Sequence, residues 1–360
     1  MALFKKITLA ICLGLLIITT SSCSKGKSKI SDSEKSINIP NYPNTIVMEN
    51  KDTKLNIYKT DKEAIAKLDS LDYVSDIEYN NKNSIYTFVT YNQEELGKNN
   101  IKVISKNGGK VINDFYFAKD LKLSSQGSKL AYRTFKSQSL DSAQGLSLYD
   151  IEKGKKVDLK SQVLISGSLY SWINDEEIIY YGIYSGNGKS TGIFKYNIKD
   201  HKEEMYLDNI QGYCTYFMYL NNNMLIFSKN IEENKLYLYN KQNNESVDFS
   251  VNIENVYDGV FDKNNNLIYI IASDKNTGIT ILYKIDLNTL KIERINYDFP
   301  QMVDSEGGLH VDSEGLLYYC GFTNLEENND KNEVFMYNPK DNSNNLISIN
   351  PSRYKVNGSN

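Results

Sequence analysis

The strongest constraint on this chain is one pair of β-hairpins that recurs along almost its whole length. The first hairpin has an apolar strand, a polar turn and a second strand that ends in aromatic residues, as in Phe261–Tyr269. Asn, Asp and Gly occupy its turn because they tolerate positive φ or bond the turn amides themselves. The second hairpin follows each copy of the first, and its clearest copy is Leu146–Lys155. The centres of successive second hairpins are Tyr58, Ile104, Tyr149, Tyr196, Tyr239, Ile285 and Tyr337. This spacing is close to that of a four-stranded propeller blade.

Two alternating hairpins without helical periodicity predict an all-β fold, a β-propeller of four-stranded blades. Six copies are complete, at 72–113, 114–160, 164–208, 211–249, 254–297 and 302–348. The segment 44–67 supplies three more strands, and 352–356 is a candidate for the missing inner strand. We therefore favour seven blades, closed by strands from both chain ends, over six blades with an N-terminal cap. A β-sandwich is a further alternative, although it does not require the two hairpins to alternate.

The repeats resemble those of the TolB-like and WD40-like β-propeller group. The closest unit contains Leu123–Tyr132, followed by Leu148-Tyr149-Asp150 and Gly154-Lys155. Ser125-Gln126-Gly127 stands where the family usually has Pro-Asp-Gly. The resemblance extends over about residues 44 to 350 and implies a fold rather than an activity.

The N-terminus has the features of an export signal. Lys5 and Lys6 precede an apolar run from Ile7 to Thr20, which is shorter than a membrane-spanning helix needs to be. Small residues then lead to Cys23, which resembles the lipobox of bacterial lipoproteins, although Thr20 replaces the usual Leu. The resemblance implies that residues 1–22 are removed and that lipid is attached at Cys23. An ordinary secretory signal is the alternative.

The predicted organisation is therefore a signal peptide (1–22), a flexible tether (23–43) and a propeller domain (44–360). The tether is rich in Ser, Lys and Asn, and a short structured arm is an alternative for 37–43 only. The lipid at Cys23 is expected to hold the protein on the extracytoplasmic face of the cell membrane.

Charge and composition exclude several classes of function. A net charge of −4 argues against a nucleic-acid partner that is held mainly through phosphate contacts. Two His and four Cys leave little material for zinc sites or thiol catalysis. No nucleophile elbow, phosphate-binding loop or paired-histidine metal motif is present in the sequence. We expect Cys214 and Cys320 to be free thiols.

Three aspartates occupy matching positions before the turn of the first hairpin: Asp76, Asp120 and Asp258. Equivalent positions on different blades point the same way relative to the axis, so the three carboxylates are a candidate site for a Ca²⁺ ion. The alternative, which we favour, is that each carboxylate accepts hydrogen bonds from backbone amides.

Two further groups are candidate ligand contacts at one mouth of the propeller. Asp304 and Glu306 belong to a loop that leads into an inner strand, and His310 follows it. Aromatic residues near the start of the inner strands form the second group: Tyr73, Tyr116, Tyr170, Tyr213 and Tyr257. Such side chains offer flat faces and hydroxyls to a sugar or a peptide. The alternatives are a solvated acidic loop and packing between blades.

The sequence thus favours a non-catalytic binding or scaffold protein for a protein, peptide or glycan ligand, without a cofactor. The alternative is a metal-dependent propeller enzyme of the lactonase or lyase kind. In that case Asp76, Asp120, Asp258 and Glu306 are the residues expected to hold the metal.

Overall fold

The computed structural model describes residues 39–93, 95, 97–186, 190–249, 251–297, 299–324 and 330–359. Cys23, the predicted signal peptide and most of the predicted tether lie outside these residues. Within the described part the regular secondary structure is β-strand, apart from one short 3₁₀ helix at Leu140–Ser142. A search of the same residues finds no helix with the length and apolar character needed to cross a membrane.

The strands follow one another in chain order and form seven sheets. Blade 1 begins with β1 (Thr45–Lys51), β2 (Lys54–Thr60) and β3 (Ile65–Asp72). Blade 2 contains β4 (Val74–Asn80), β5 (Ile85–Tyr91), β6 (Asn99–Ser105) and β7 (Gly108–Ile112). Blade 3 contains β8 (Phe117–Leu123), β9 (Lys129–Phe135), β10 (Ala143–Asp150) and β11 (Lys155–Val157). Blade 4 contains β12 (Val163–Trp172), β13 (Glu177–Tyr184), β14 (Thr191–Asn197) and β15 (Lys202–Leu207).

The remaining blades continue the same pattern. Blade 5 contains β16 (Tyr213–Leu220), β17 (Asn223–Lys229), β18 (Lys235–Asn240) and β19 (Glu245–Phe249). Blade 6 contains β20 (Ile253–Asp262), β21 (Leu267–Asp274), β22 (Thr280–Asp286) and β23 (Lys291–Arg294). Blade 7 contains β24 (Met302–Val303), β25 (Leu309–Val311), β26 (Leu317–Phe322), β27 (Glu333–Asn338) and β28 (Ser343–Leu346). The last strand, β29 (Tyr354–Gly358), returns to blade 1.

Antiparallel pairing within every blade gives the domain two different faces. We call the first the turn face: it carries the short connections from the first to the second strand and from the third to the fourth. We call the second the loop face: it carries the connections from the second to the third strand and from each blade to the next. The hydrophobic core lies mainly between neighbouring blades, where each cluster combines residues of two sheets, as Phe227 of blade 5 does with Ile270 of blade 6. Burial of these faces stabilises the ring by ~25 cal/mol per Å² of apolar surface.

Blade 1 is assembled from both ends of the chain, as the sequence predicts. β29 is the inner strand of blade 1 and pairs antiparallel with β1, with Val356 opposite Val47. The prediction of seven four-stranded blades closed by N- and C-terminal strands is confirmed, and the six-blade and β-sandwich alternatives are wrong. Burial of Val47 and Val356 at this seam ties the first blade to the seventh.

A buried asparagine at the seam holds the returning strand. The backbone of Asn332 exchanges hydrogen bonds with that of Ser352 (2.7 and 2.9 Å). Its side-chain Nδ2 donates to the carbonyl of Tyr354 at 2.8 Å, and its Oδ1 accepts from the Tyr354 amide at 2.8 Å. Asn332 therefore satisfies the backbone of β29 as a neighbouring strand does.

The last residues of the predicted tether belong to the domain. Tyr42 is buried between blades 1 and 2, where its ring meets Tyr79 and Tyr86 edge-on. Its hydroxyl donates to Asp69 at 2.8 Å. These contacts fit the alternative of a short structured arm, and the domain extends to at least residue 39.

Asn332→Ala is expected to lower the free energy of unfolding by about 2–4 kcal/mol, because buried amide and carbonyl groups of Tyr354 lose their partners. Urea titration followed by tyrosine fluorescence measures the change. Asn345→Ala, on the exposed outer strand of the same blade, is the matched control and should change stability by less than about 0.5 kcal/mol. Equal effects of the two substitutions would show that the seam is not held by Asn332.

Candidate ligand-binding site

A cavity of about 620 Å³ opens on the turn face, and every blade contributes to its wall. One residue from each of blades 2 to 7, with Ser359 after β29 for blade 1, shows how the wall is shared: Glu78, Lys122, Trp172, Tyr219, Phe261, His310 and Ser359. Residues from all seven sheets meet only around the axis of a propeller, so this cavity is the mouth of the central channel. We call it the axial cavity.

The single tryptophan of the chain is held in place at the wall of this cavity. Trp172 is the last residue of β12, and its indole Nε1 donates to the carbonyl of Lys122 in the neighbouring blade at 2.9 Å. Its side chain is half-buried. An aromatic ring that is fixed by its own N–H while part of its surface stays accessible is suited to hold a flat ligand group.

Lys122 reaches the same cavity from blade 3. Its Nζ donates to the carbonyl of Tyr170 at 2.7 Å and lies 5.1 Å from the centre of the Tyr170 ring. Burial lowers the pKa of Lys122, and the charges of Asp258 and Glu78 oppose that shift. A further negative group that enters the cavity would therefore stabilise the charged form of the Lys122 amine. Lys263 adds an exposed amine at the rim.

His310 contacts the cavity from the inner strand of blade 7. Its Nδ1 is hydrogen-bonded with Oγ1 of Thr45 at 2.8 Å, and its ring lies directly against Gly358, where a Cβ has no room. Burial lowers the pKa of His310 to about 4, so the imidazole is neutral at pH 7. His310 is thus the one predicted contact that the structure places in the axial cavity.

The three predicted metal ligands do not converge on one point. Asp76 pairs with Lys355 through both carboxylate oxygens at 3.1 Å. Asp120 accepts from Nε of Arg133 at 2.6 Å. No group of three or more His, Cys, Asp and Glu side chains that can hold a metal ion is found among the described residues. Among the described residues, Asp76 and Asp120 therefore pair with cations of the domain and do not form the candidate carboxylate ring with Asp258.

Asp258 is the most deeply placed of the three. It accepts from the Gly259 amide at 2.8 Å and from the backbone of Leu309 in blade 7. This matches the alternative in which carboxylates bond backbone amides. Burial nevertheless raises the pKa of Asp258, since the charged form loses more hydration than these hydrogen bonds return.

The remaining predicted contacts lie on the loop face or inside the walls. Asp304 accepts from Nδ2 of Asn332, which gives it a structural partner at the seam, and Glu306 is exposed beside it. Among the predicted tyrosines, Tyr73, Tyr213 and Tyr257 are exposed and Tyr116 is half-buried. Tyr170 is a correction: it is fully buried, and its hydroxyl donates to the carbonyl of Asp120.

Four residues of the cavity wall are not among the predicted contacts: Trp172, Phe261, Lys122 and Lys263. Each stands within two residues of the end of an inner strand or in the turn that follows it. The turn positions were visible in the repeat, but the sequence did not show which end of the channel widens into a cavity.

Comparison with solved structures supports the fold. The β-propeller domain of the Trilobed protease from Pyrococcus furiosus aligns with a TM-score of 0.55 and 16% identity, over 84% of this chain and 94% of that one. An uncharacterized protein from Listeria monocytogenes aligns with a TM-score of 0.53 and 12% identity, over 84% and 90%. TolB from Acinetobacter baumannii aligns with a TM-score of 0.47 and 12% identity, over 76% of this chain and 66% of TolB.

At these identities the alignments with the Pyrococcus and Listeria proteins show a shared fold and leave the activity open, and the TolB alignment carries no argument of its own. The sequence matches no protein-family model and no curated protein. The Pyrococcus domain is described as having an open velcro topology, whereas the pairing of β29 with β1 closes the ring here.

Asp258→Asn is expected to raise the free energy of unfolding more at pH 7 than at pH 4. A carboxyl whose pKa is raised by folding costs stability as the pH rises from its unfolded pKa through its folded pKa, and the neutral amide removes that cost. Urea titrations of both proteins at the two pH values give the comparison. Asp200→Asn, in an exposed turn of blade 4, is the control. A gain that is the same at both pH values would contradict the assignment.

Proposed function

We propose that this chain is a non-catalytic binding protein, carried outside the cytoplasmic membrane by lipid at Cys23, and that the axial cavity takes the end of a peptide or glycan. The carrying observation is the cavity of about 620 Å³ whose wall all seven blades share. A space of this size suits a chain end or a small molecule rather than a folded protein face.

The side chains that line the cavity restrict the kind of ligand that it can bind. Trp172 and Phe261 offer ring faces, and Lys122 and Lys263 offer amines, while Glu78 is the one carboxylate side chain among the described residues of the wall. His310 adds no charge at pH 7. The expected ligand end therefore joins an apolar or sugar ring to a carboxylate.

A photo-crosslinking amino acid at position 263 tests the cavity in intact cells. We expect a discrete adduct from this position and none from Val247, an exposed outer-strand position in blade 5 that serves as the control. Trp172→Ala should reduce the adduct at least about tenfold, as loss of a central aromatic contact does, whereas Trp172→Phe should retain most of it. Thermal melts check that both variants fold. The same adduct from both crosslinking positions, or an adduct insensitive to Trp172→Ala, would reject the axial site.

The anchor has its own test. Cys23→Ala should abolish incorporation of labelled palmitate and move the protein from the membrane fraction to the soluble fraction, because no other acyl attachment is proposed. Cys12→Ala is the matched control, since Cys12 lies in the predicted signal and should leave both results unchanged. Palmitate labelling that survives Cys23→Ala would remove the lipid anchor without affecting the axial cavity.

A further inference from the structure

Exposed large apolar side chains are concentrated on the loop face, opposite the axial cavity. They stand at the connections and strand ends of several blades: Tyr91, Leu140, Leu164, Tyr213, Ile231 and Ile349. Ile231 and Ile349 are 102% and 85% exposed. Of the turn connections that the structure describes, Leu290 supplies the one comparable side chain. Exposed apolar side chains that are concentrated on one face of a domain make that face a candidate interaction surface.

The arrangement of these side chains favours a broad, flat partner. They belong to blades 2, 3, 4 and 5 and to the connection from blade 7 to blade 1, so they are spread around the ring rather than gathered in one groove. Tyr, Ile and Leu are also the side chains that enter the boundary between lipid headgroups and acyl chains. A lipid surface meets all of these positions at once, whereas a peptide covers only a few of them.

The position of the N-terminal arm brings such a surface within reach. Pro40 lines a cavity of about 390 Å³ between blades 1 and 2. The wall of this cavity extends from Asp72, Val74 and Thr90, at the loop-face ends of their strands, to Ile104, near the turn-face end of β6. Sixteen residues run from Ser24 to Ile39. A chain of this length spans at most about 55 Å, roughly twice the height of a blade built from eight-residue strands.

Charge does not supply the attraction. The chain carries −4, and the cytoplasmic-membrane lipids of most cells include anionic headgroups. The side chains that mark the loop face are apolar and aromatic, so contact through them should depend little on salt or on anionic lipid.

We propose that the loop face docks on the lipid surface to which the chain is anchored, which turns the axial cavity away from the membrane. This inference rests on the lipid anchor of the proposed function and adds an orientation to it. The anchor restricts the domain to a thin layer above the bilayer, and many weak apolar contacts then select one face.

Fluorescent labelling of the full lipidated chain in phosphatidylcholine vesicles tests the orientation. One variant carries an environment-sensitive probe at Ile231→Cys, and its matched control carries the probe at Gln242→Cys, on the turn face of the same blade. Cys214 and Cys320 are buried and leave labelling to the introduced thiol. Brominated lipids should quench the probe at position 231 several-fold more than the probe at 242. Trp172, the only tryptophan, should remain unquenched on the turn face.

Quenching that is equal at the two positions, or stronger at 242 or at Trp172, would overturn the proposal. Quenching at 231 that disappears in 0.5 M NaCl would also overturn it, because the contact would then be electrostatic. Protection of position 231 in cells without quenching in vesicles would assign the loop face to a protein partner instead.

Failure of the anchor is separated from failure of the docking. If Cys23 takes no palmitate, the Cys23→Ala chain with an N-terminal histidine tag is held on vesicles that contain a nickel-chelating lipid, and the same two probes are compared. Selective quenching at 231 there supports the docking face without the native anchor, and equal quenching rejects it.

Discussion

Pairing between β1 and β29 is the interaction on which the rest of the molecule depends. Each blade is a small sheet that buries its two faces against its neighbours, so an open ring leaves two blade faces and a strand edge uncovered. The antiparallel register from Thr45–Gly358 to Glu49–Tyr354 removes that edge. Asn332 reinforces the closure by bonding the backbone of the returning strand. Closure also brings seven inner strands around one axis, and without it the axial cavity has no continuous wall.

Along the channel, carboxylates on the inner strands are paired with cations. Lys355 meets Asp76 and Arg133 meets Asp120, so carboxylates that could have faced solvent or a metal are compensated by cations of the domain itself. Toward the turn face, Nζ of Lys122 donates to the neutral carbonyl of Tyr170, and the rings of Trp172, Tyr219 and Phe261 contribute to the wall. The change from paired charges to partly accessible aromatic rings distinguishes the cavity from the rest of the channel.

The architecture was predictable because repetition multiplies a weak local signal. Each hairpin alone is ambiguous, but seven spaced copies and a leftover strand at 352–356 predict a closed ring, and β29 lies at Tyr354–Gly358. The site was less predictable. Asp76, Asp120 and Asp258 occupy similar positions in the repeat, yet each meets a different partner supplied by another strand or blade. Tyr170 shows the same limit, because bulges in the inner strands shift side chains in a way that spacing does not record.

The joint of β1 with β29 also sets an order of events during biosynthesis. β1 is among the first parts of the domain to be made, and its partner is almost the last. Blade 1 therefore remains at three strands until Tyr354–Gly358 has been synthesised, and a product that stops before β29 keeps an unpaired strand edge. Such an edge is open to proteases and to pairing with other chains, so synthesis of β29 is the step that completes the domain.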